Sequence, residues 1–134
     1  MQDRESLCSD TIVLGCKKTM NYKERLYKNY YSTHILHRKG KTTLDEFKQR
    51  AVSYQKHFGR LLPNDKSSRI VDIGCGNGSI VWWLQQNGFA NAEGVDISAE
   101  QITIAHELGV KNVQQIDIYE FFSKSDSLYD TIIL

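Results

Sequence analysis

Apolar residues change their spacing midway along this chain of 134 residues, and the change separates two kinds of structure. Up to about residue 65 they recur at steps of three and four, as on one face of a helix. Beyond it they come in short runs between glycines and polar residues, as in strands buried in a sheet. In the first half, Tyr22, Leu26 and Tyr30 predict a helix beginning near Met20. Residues 37–41 read as a loop. Thr43-Leu44-Asp45-Glu46 has the capping-box pattern, in which Thr43 and Glu46 satisfy each other's backbone donors. Behind it Leu44, Phe47, Ala51, Tyr54, Phe58 and Leu61 predict a second, amphipathic helix that Pro63 stops. Residues 1–19 show no period and are expected to form a poorly ordered leader.

The second half alternates strand and helix. Strands are predicted over residues 69–73, 92–96, 113–116 and 129–134, with helices over 79–87 and from 98 to Gly109, and a helical turn over 119–123. Three strand–helix–strand steps in so short a stretch predict a parallel sheet with helices on its faces. The expected domains are the leader, an N-terminal helical lid over 20–64 and a sheet domain over 65–134. Of Trp82 and Trp83, spaced with Ile80 and Leu84, at least one reads as core rather than as part of a stacking platform.

Charge sharpens this division. Residues 1–68 hold 14 Lys and Arg against 7 Asp and Glu, a net of +7, whereas residues 69–134 hold 3 against 9, a net of −6. The basic charges are interleaved with acids along helices, so a solvated face is expected rather than a nucleic-acid surface. Cys8, Cys16 and Cys75 are an odd number without a CxxC pair, and His34, His37, His57 and His106 lack metal-ligand spacing with them. Neither a disulfide framework nor a metal site is expected, and a cytoplasmic location fits. No run reaches the roughly 18 apolar residues of a membrane helix.

The candidate chemistry lies at three strand ends. Val71-Asp72-Ile73-Gly74-Cys75-Gly76-Asn77-Gly78 turns a strand sharply into a helix, with Gly74, Gly76 and Gly78 free to adopt positive φ and let a ligand approach the backbone. Asp96 ends the second strand, 18 residues after Gly78, where a carboxylate can accept both hydroxyls of a ribose. Asp117 ends the third, where a carboxylate can accept from an adenine amine. Ligands of open parallel sheets sit at these carboxyl ends. A dinucleotide loop is expected to read G-x-G-x-x-G and to face a pyrophosphate, whereas here Ser79 takes the place of the third glycine and Asp72 adds negative charge. A phosphate-free, cationic nucleoside cofactor, S-adenosylmethionine, suits these residues better. Cys75 reads as a small loop residue, since no base accompanies it.

At these residues the sequence resembles the class I, or Rossmann-like, methyltransferase family. Residues 71–78 are similar to its first motif, Gly94-Val95-Asp96-Ile97-Ser98 to its second-strand motif and Ile116-Asp117-Ile118 to its third; Tyr129-Asp130-Thr131-Ile132-Ile133 looks like the start of its fourth strand. The resemblance implies an α/β fold and S-adenosylmethionine as cofactor. Asp72 and the backbone of Gly74, Cys75, Gly76 and Gly78 would face its methionine part. Asp96 would hold the ribose, Ile97 would pack on the adenine, and Asp117 with the Ile118 amide would meet the adenine edge. It also implies transfer of the sulfonium methyl to an acceptor that these residues leave open. Tyr30-Tyr31-Ser32-Thr33-His34 and residues 54–63 are more loosely similar to bacterial methyltransferases of cell-surface sugar biosynthesis, which implies a small-molecule or sugar-related acceptor. Tyr22, Tyr27, Tyr30 and Tyr31 are candidate aromatics of the lid. No catalytic base is assigned.

The family's sheet has seven strands in the order 3-2-1-4-5-7-6, and this chain reaches only the fourth. It is therefore expected to be the cofactor-binding portion of a longer protein, with the fourth strand as an open edge. The competing expectations are a fragment that binds the cofactor without turnover, and half of an NAD-dependent oxidoreductase.

Overall fold

The computed structural model describes residues 22–28, 41–124 and 126–134, apart from the side chains of Lys23 and Glu24. The expected leader, most of the loop over 37–41 and the Tyr30–His34 stretch lie outside them. The first helix, α1, spans Tyr22–Tyr27. The second, α2, spans Leu44–Phe58 and starts with one bond of the expected capping box: Thr43 is extended and its Oγ1 accepts from the Glu46 amide at 3.4 Å. Its last turn tightens into a 3-10 helix, Gly59–Leu61, before Leu62 becomes extended at ψ 146°. The ring of Pro63 forces that, because it excludes a helical conformation in the residue before it.

The strands are β1 (Ile70–Ile73), β2 (Ala92–Asp96), β3 (Val113–Gln115) and β4 (Thr131–Ile133). Between them run α3 (Ser79–Gln86), α4 (Ala99–Glu107) and α5 (Ile118–Lys124). The sheet is parallel throughout, in the order β3-β2-β1-β4. Register pairs Asp72 with Gly94 and Asp96 with Gln115, so the carboxyl ends of the first three strands come level. The α/β, Rossmann-like expectation is met, and the strands lie within two residues of their expected limits.

Core packing follows the two-residue alternation of β1. Ile70 packs with Trp83, Leu84, Phe89 and Ala92 on the α3 side. Val71 packs with Val95 and Phe121 on the α5 side. A third cluster joins Phe47 of α2 and Val81 of α3 to Ile102 and Ala105 of α4. The alternation therefore gives Asp72 the same face as Ile70, a position where burial calls for an apolar residue.

Helix α2 lies against α3 through its middle turns. Phe47 sits 5.8 Å from the Trp82 ring and Tyr54 sits 5.7 Å from Trp83, while the Tyr54 hydroxyl is hydrogen-bonded to Ser79 Oγ at 2.9 Å. Trp83 is buried and Trp82 half-buried against the core, as expected of core residues. Leu44, Phe58 and Leu61 share the predicted apolar stripe yet are exposed, whereas Phe47 and Tyr54 of the same stripe meet α3.

Candidate functional site

The loop from β1 into α3 is built on backbone hydrogen bonds to the neighbouring strand. Gly74 and Cys75 both donate their amides to the Val95 carbonyl, at 2.8 and 3.0 Å, and the Gly78 amide closes the turn on the Cys75 carbonyl at 2.9 Å. Gly74, Gly76 and Gly78 have φ of 77°, 55° and 75°, a region that L-residues with side chains avoid.

Asp96, at the end of β2, ties this loop to the next. Its Oδ2 accepts from the Gly76 amide at 2.8 Å and its Oδ1 from the Ser98 amide at 2.7 Å. Each oxygen of an ionised carboxylate offers about two acceptor sites, so one on each is left for a ligand. Asp117 follows β3, and its Oδ1 accepts from the Tyr119 amide at 2.9 Å as the chain turns into α5.

The three strand ends share one cavity of about 240 Å³. Of the nine residues singled out in the sequence, Gly74, Asp96, Ile97, Asp117 and Ile118 line it, together with Ile73, Val95, Ile116 and Tyr27 of α1. Gly76 adjoins it through its bond to Asp96, while Asp72, Cys75 and Gly78 are not among its lining residues. Tyr27 was marked only as one of four candidate aromatics of the lid, and no local pattern shows which sheet end a preceding helix meets.

Asp72 is 4% exposed, and its Oδ2 has no hydrogen-bond partner among the described residues. Burial first, and then the charge of Asp96, push its pKa up from 3.8 to about 6. The folded chain thus holds this proton more tightly than the unfolded chain does. Its contribution favours folding most below about pH 3.8 and is lost as pH rises through about 6, a swing of order 2–3 kcal/mol. An Asp72→Asn variant is therefore expected to melt several degrees above the parent at pH 8, with the difference shrinking at pH 4.5. Thermal melts at the two pH values check this, and a variant less stable by the same margin at both would rule out a strained carboxylate. Cys75 is buried, and its thiol is pushed far above its ordinary range by burial, then by Asp72 and Asp96, so it remains protonated. That removes it as a nucleophile.

A larger depression of about 500 Å³ lies at the opposite, amino ends of the strands, lined by Arg69, Asn91, Glu93, Asn112, Val113 and Gln114. Arg69 and Glu93 pair there at 3.4 Å, and no glycine turn lines it. The smaller cavity, at the carboxyl ends, is the functional candidate. Its residues suit a ligand with an apolar planar part, hydroxyls and a positive charge.

A family model described as "Methyltransferase domain" matches residues 45–134. The chain is 31% identical over 109 residues to the ribosomal RNA small subunit methyltransferase C of Alcanivorax borkumensis, covering 69% of this chain and 33% of that protein. It is 32% identical over 126 residues to the ubiquinone biosynthesis O-methyltransferase of Rickettsia felis, covering 87% and 48%. The chain thus spans about a third to a half of the length of these curated relatives. A solved structure from Thermoplasma acidophilum shares the fold, with a TM-score of 0.50 and 21% identity over 62% of this chain and 45% of that one.

Proposed function

This chain belongs to the class I, S-adenosylmethionine-dependent methyltransferase family, and from that membership we propose that its strand tips hold S-adenosylmethionine for methyl transfer by the whole protein. The observation that carries this reading is a pair of acids beside the glycine loop, Asp72 buried and Asp96 half-buried. Asp72, with an unpartnered Oδ2, feels the charge of Asp96 across a loop whose own donors are largely bound inward. Such a pair attracts a cation and repels a pyrophosphate, which weighs against the dinucleotide alternative.

The residues fit the cofactor part by part. Asp96 has acceptor sites to spare for the ribose hydroxyls. Ile97, Ile116 and Ile118 supply apolar walls for the adenine, and Asp117 an acceptor at its edge. Asp72 and the glycine loop suit the cationic methionine end. A cavity of about 240 Å³ falls below the roughly 300–1,000 Å³ of sites that enclose a whole drug-sized ligand, so it matches the nucleoside part alone. Tyr27 supports the reading of α1 as part of a lid, since it reaches the cavity from outside the sheet domain.

When bound, S-adenosylmethionine supplies a methyl group activated by a positive sulfur. The work of this chain is to orient it. Holding reactants in line is worth about 7–11 kcal/mol in effective molarity, without any proton transfer by the described residues. The relatives' names speak of ribosomal RNA in one case and of ubiquinone biosynthesis in the other. A common cofactor site with separate acceptor sites accounts for that difference, and the acceptor of this protein is left open.

Calorimetry of the chain with S-adenosylhomocysteine and with NAD is the direct test. Binding of the thioether without binding of NAD is expected; the reverse would overturn the reading.

A further inference from the structure

Two buried side-chain polar atoms among the described residues have no hydrogen-bond partner, and both belong to the glycine-loop region: Asp72 Oδ2 and Gln101 Oε1. Gln101 lies in the first turn of α4 and is 5% exposed, on the helix face that also buries Ile102 and Ala105. Leucine or methionine would fill that position without leaving an amide oxygen unpaired, an omission that costs about 1–3 kcal/mol. The unpaired oxygen is 3.9 Å from the point where a side chain on Gly76 would begin, and the Gly76 amide in turn donates to Asp96. Gln101 and Asp96 therefore both lie beside Gly76, Asp96 lining the cavity and Gln101 just outside its lining residues.

We propose that Gln101 is a further cofactor-binding residue, whose side-chain carboxamide pairs with a hydroxyl of the ribose that Asp96 grips. This rests on the reading of the site as a nucleoside site. A hydroxyl suits the position because it both donates and accepts, and so satisfies either end of the carboxamide. The ligand then removes the desolvation cost that the free protein carries at Gln101. The residue escaped the motif because a glutamine in the first turn of a helix reads as solvent-facing; only its burial distinguishes it.

The test uses the full chain and two apolar variants of similar size, Gln101→Met and Gln101→Leu. Titration calorimetry compares S-adenosylhomocysteine with its 2′-deoxy and 3′-deoxy analogues, and thermal melts follow the ligand-free proteins. Both variants are expected to bind S-adenosylhomocysteine roughly 3- to 10-fold more weakly than the parent. The difference should vanish for the analogue lacking the paired hydroxyl, and the ligand-free melting midpoints should hold or rise. Unchanged affinity in both variants overturns the assignment. So does a loss that persists on both deoxy analogues, or a midpoint that falls by several degrees, which marks a structural role. If the parent itself fails to bind S-adenosylhomocysteine, the reading of the whole site falls; if the parent binds and the variants match it, only the role of Gln101 does.

Discussion

Asp96→Ala is expected to weaken binding of S-adenosylhomocysteine by 100-fold or more. In the free protein the carboxylate accepts from the Gly76 and Ser98 amides at 2.8 and 2.7 Å. Hydrogen bonds to a charged group contribute about 1.5–3 kcal/mol each, and alanine leaves both amides without their acceptor. The proposed ribose contacts disappear as well. Losing about 3–4 kcal/mol of ligand interaction corresponds to a loss of roughly 100- to 1,000-fold in affinity. Asparagine is not a mild replacement, because its NH₂ group would face one of the two amides, donor against donor. Calorimetry on Asp96→Ala, after circular dichroism has established a folded chain, measures the effect. Affinity within 3-fold of the parent would refute the ribose role.

Gly94→Ala is expected to have the largest effect on stability. Gly94 lies in the middle of β2 and is buried. A Cβ there would stand 2.7 Å from Val81 Cγ2, 2.8 Å from Cys75 Cβ and 2.9 Å from Cys75 Sγ. None of these atoms can yield cheaply, since Val81 is in the core and Cys75 is fastened to Val95 through its amide. Overpacking of this kind costs typically 1–3 kcal/mol, and the upper part of that range is expected here. For a chain of this size that lowers the melting midpoint by roughly 6–12 °C. A shift of less than about 1 °C would mean that the loop gives way after all.

These two residues differ in how far they could be read beforehand. Asp96 was legible because its chemistry is local: an acid at the end of an apolar run, one strand on from a glycine turn. That the sheet is parallel was legible for the same reason, since short crossovers join its strands, whereas the strand order was implied only by the resemblance to the family. Gly94 stood inside a quoted motif, but nothing local shows that Cys75 and Val81 close over it. The depth of Asp72, the approach of Tyr27 and the burial of Gln101 likewise depend on elements distant in the chain. The apolar spacing of α2 identified its helix correctly, but periodicity reports a face and not how much of it a neighbour covers, so the exposure of Leu44, Phe58 and Leu61 was not legible in it.

Apart from Tyr27, every proposed contact falls between Asp72 and Ile118. The grip on the nucleoside is thus one uninterrupted length of polypeptide, folded back on itself twice at intervals of twenty-odd residues, and closing such modest loops costs little entropy. A grip so assembled is portable: surrounding sequence can be exchanged, and the chemistry it serves redirected, without rebuilding it.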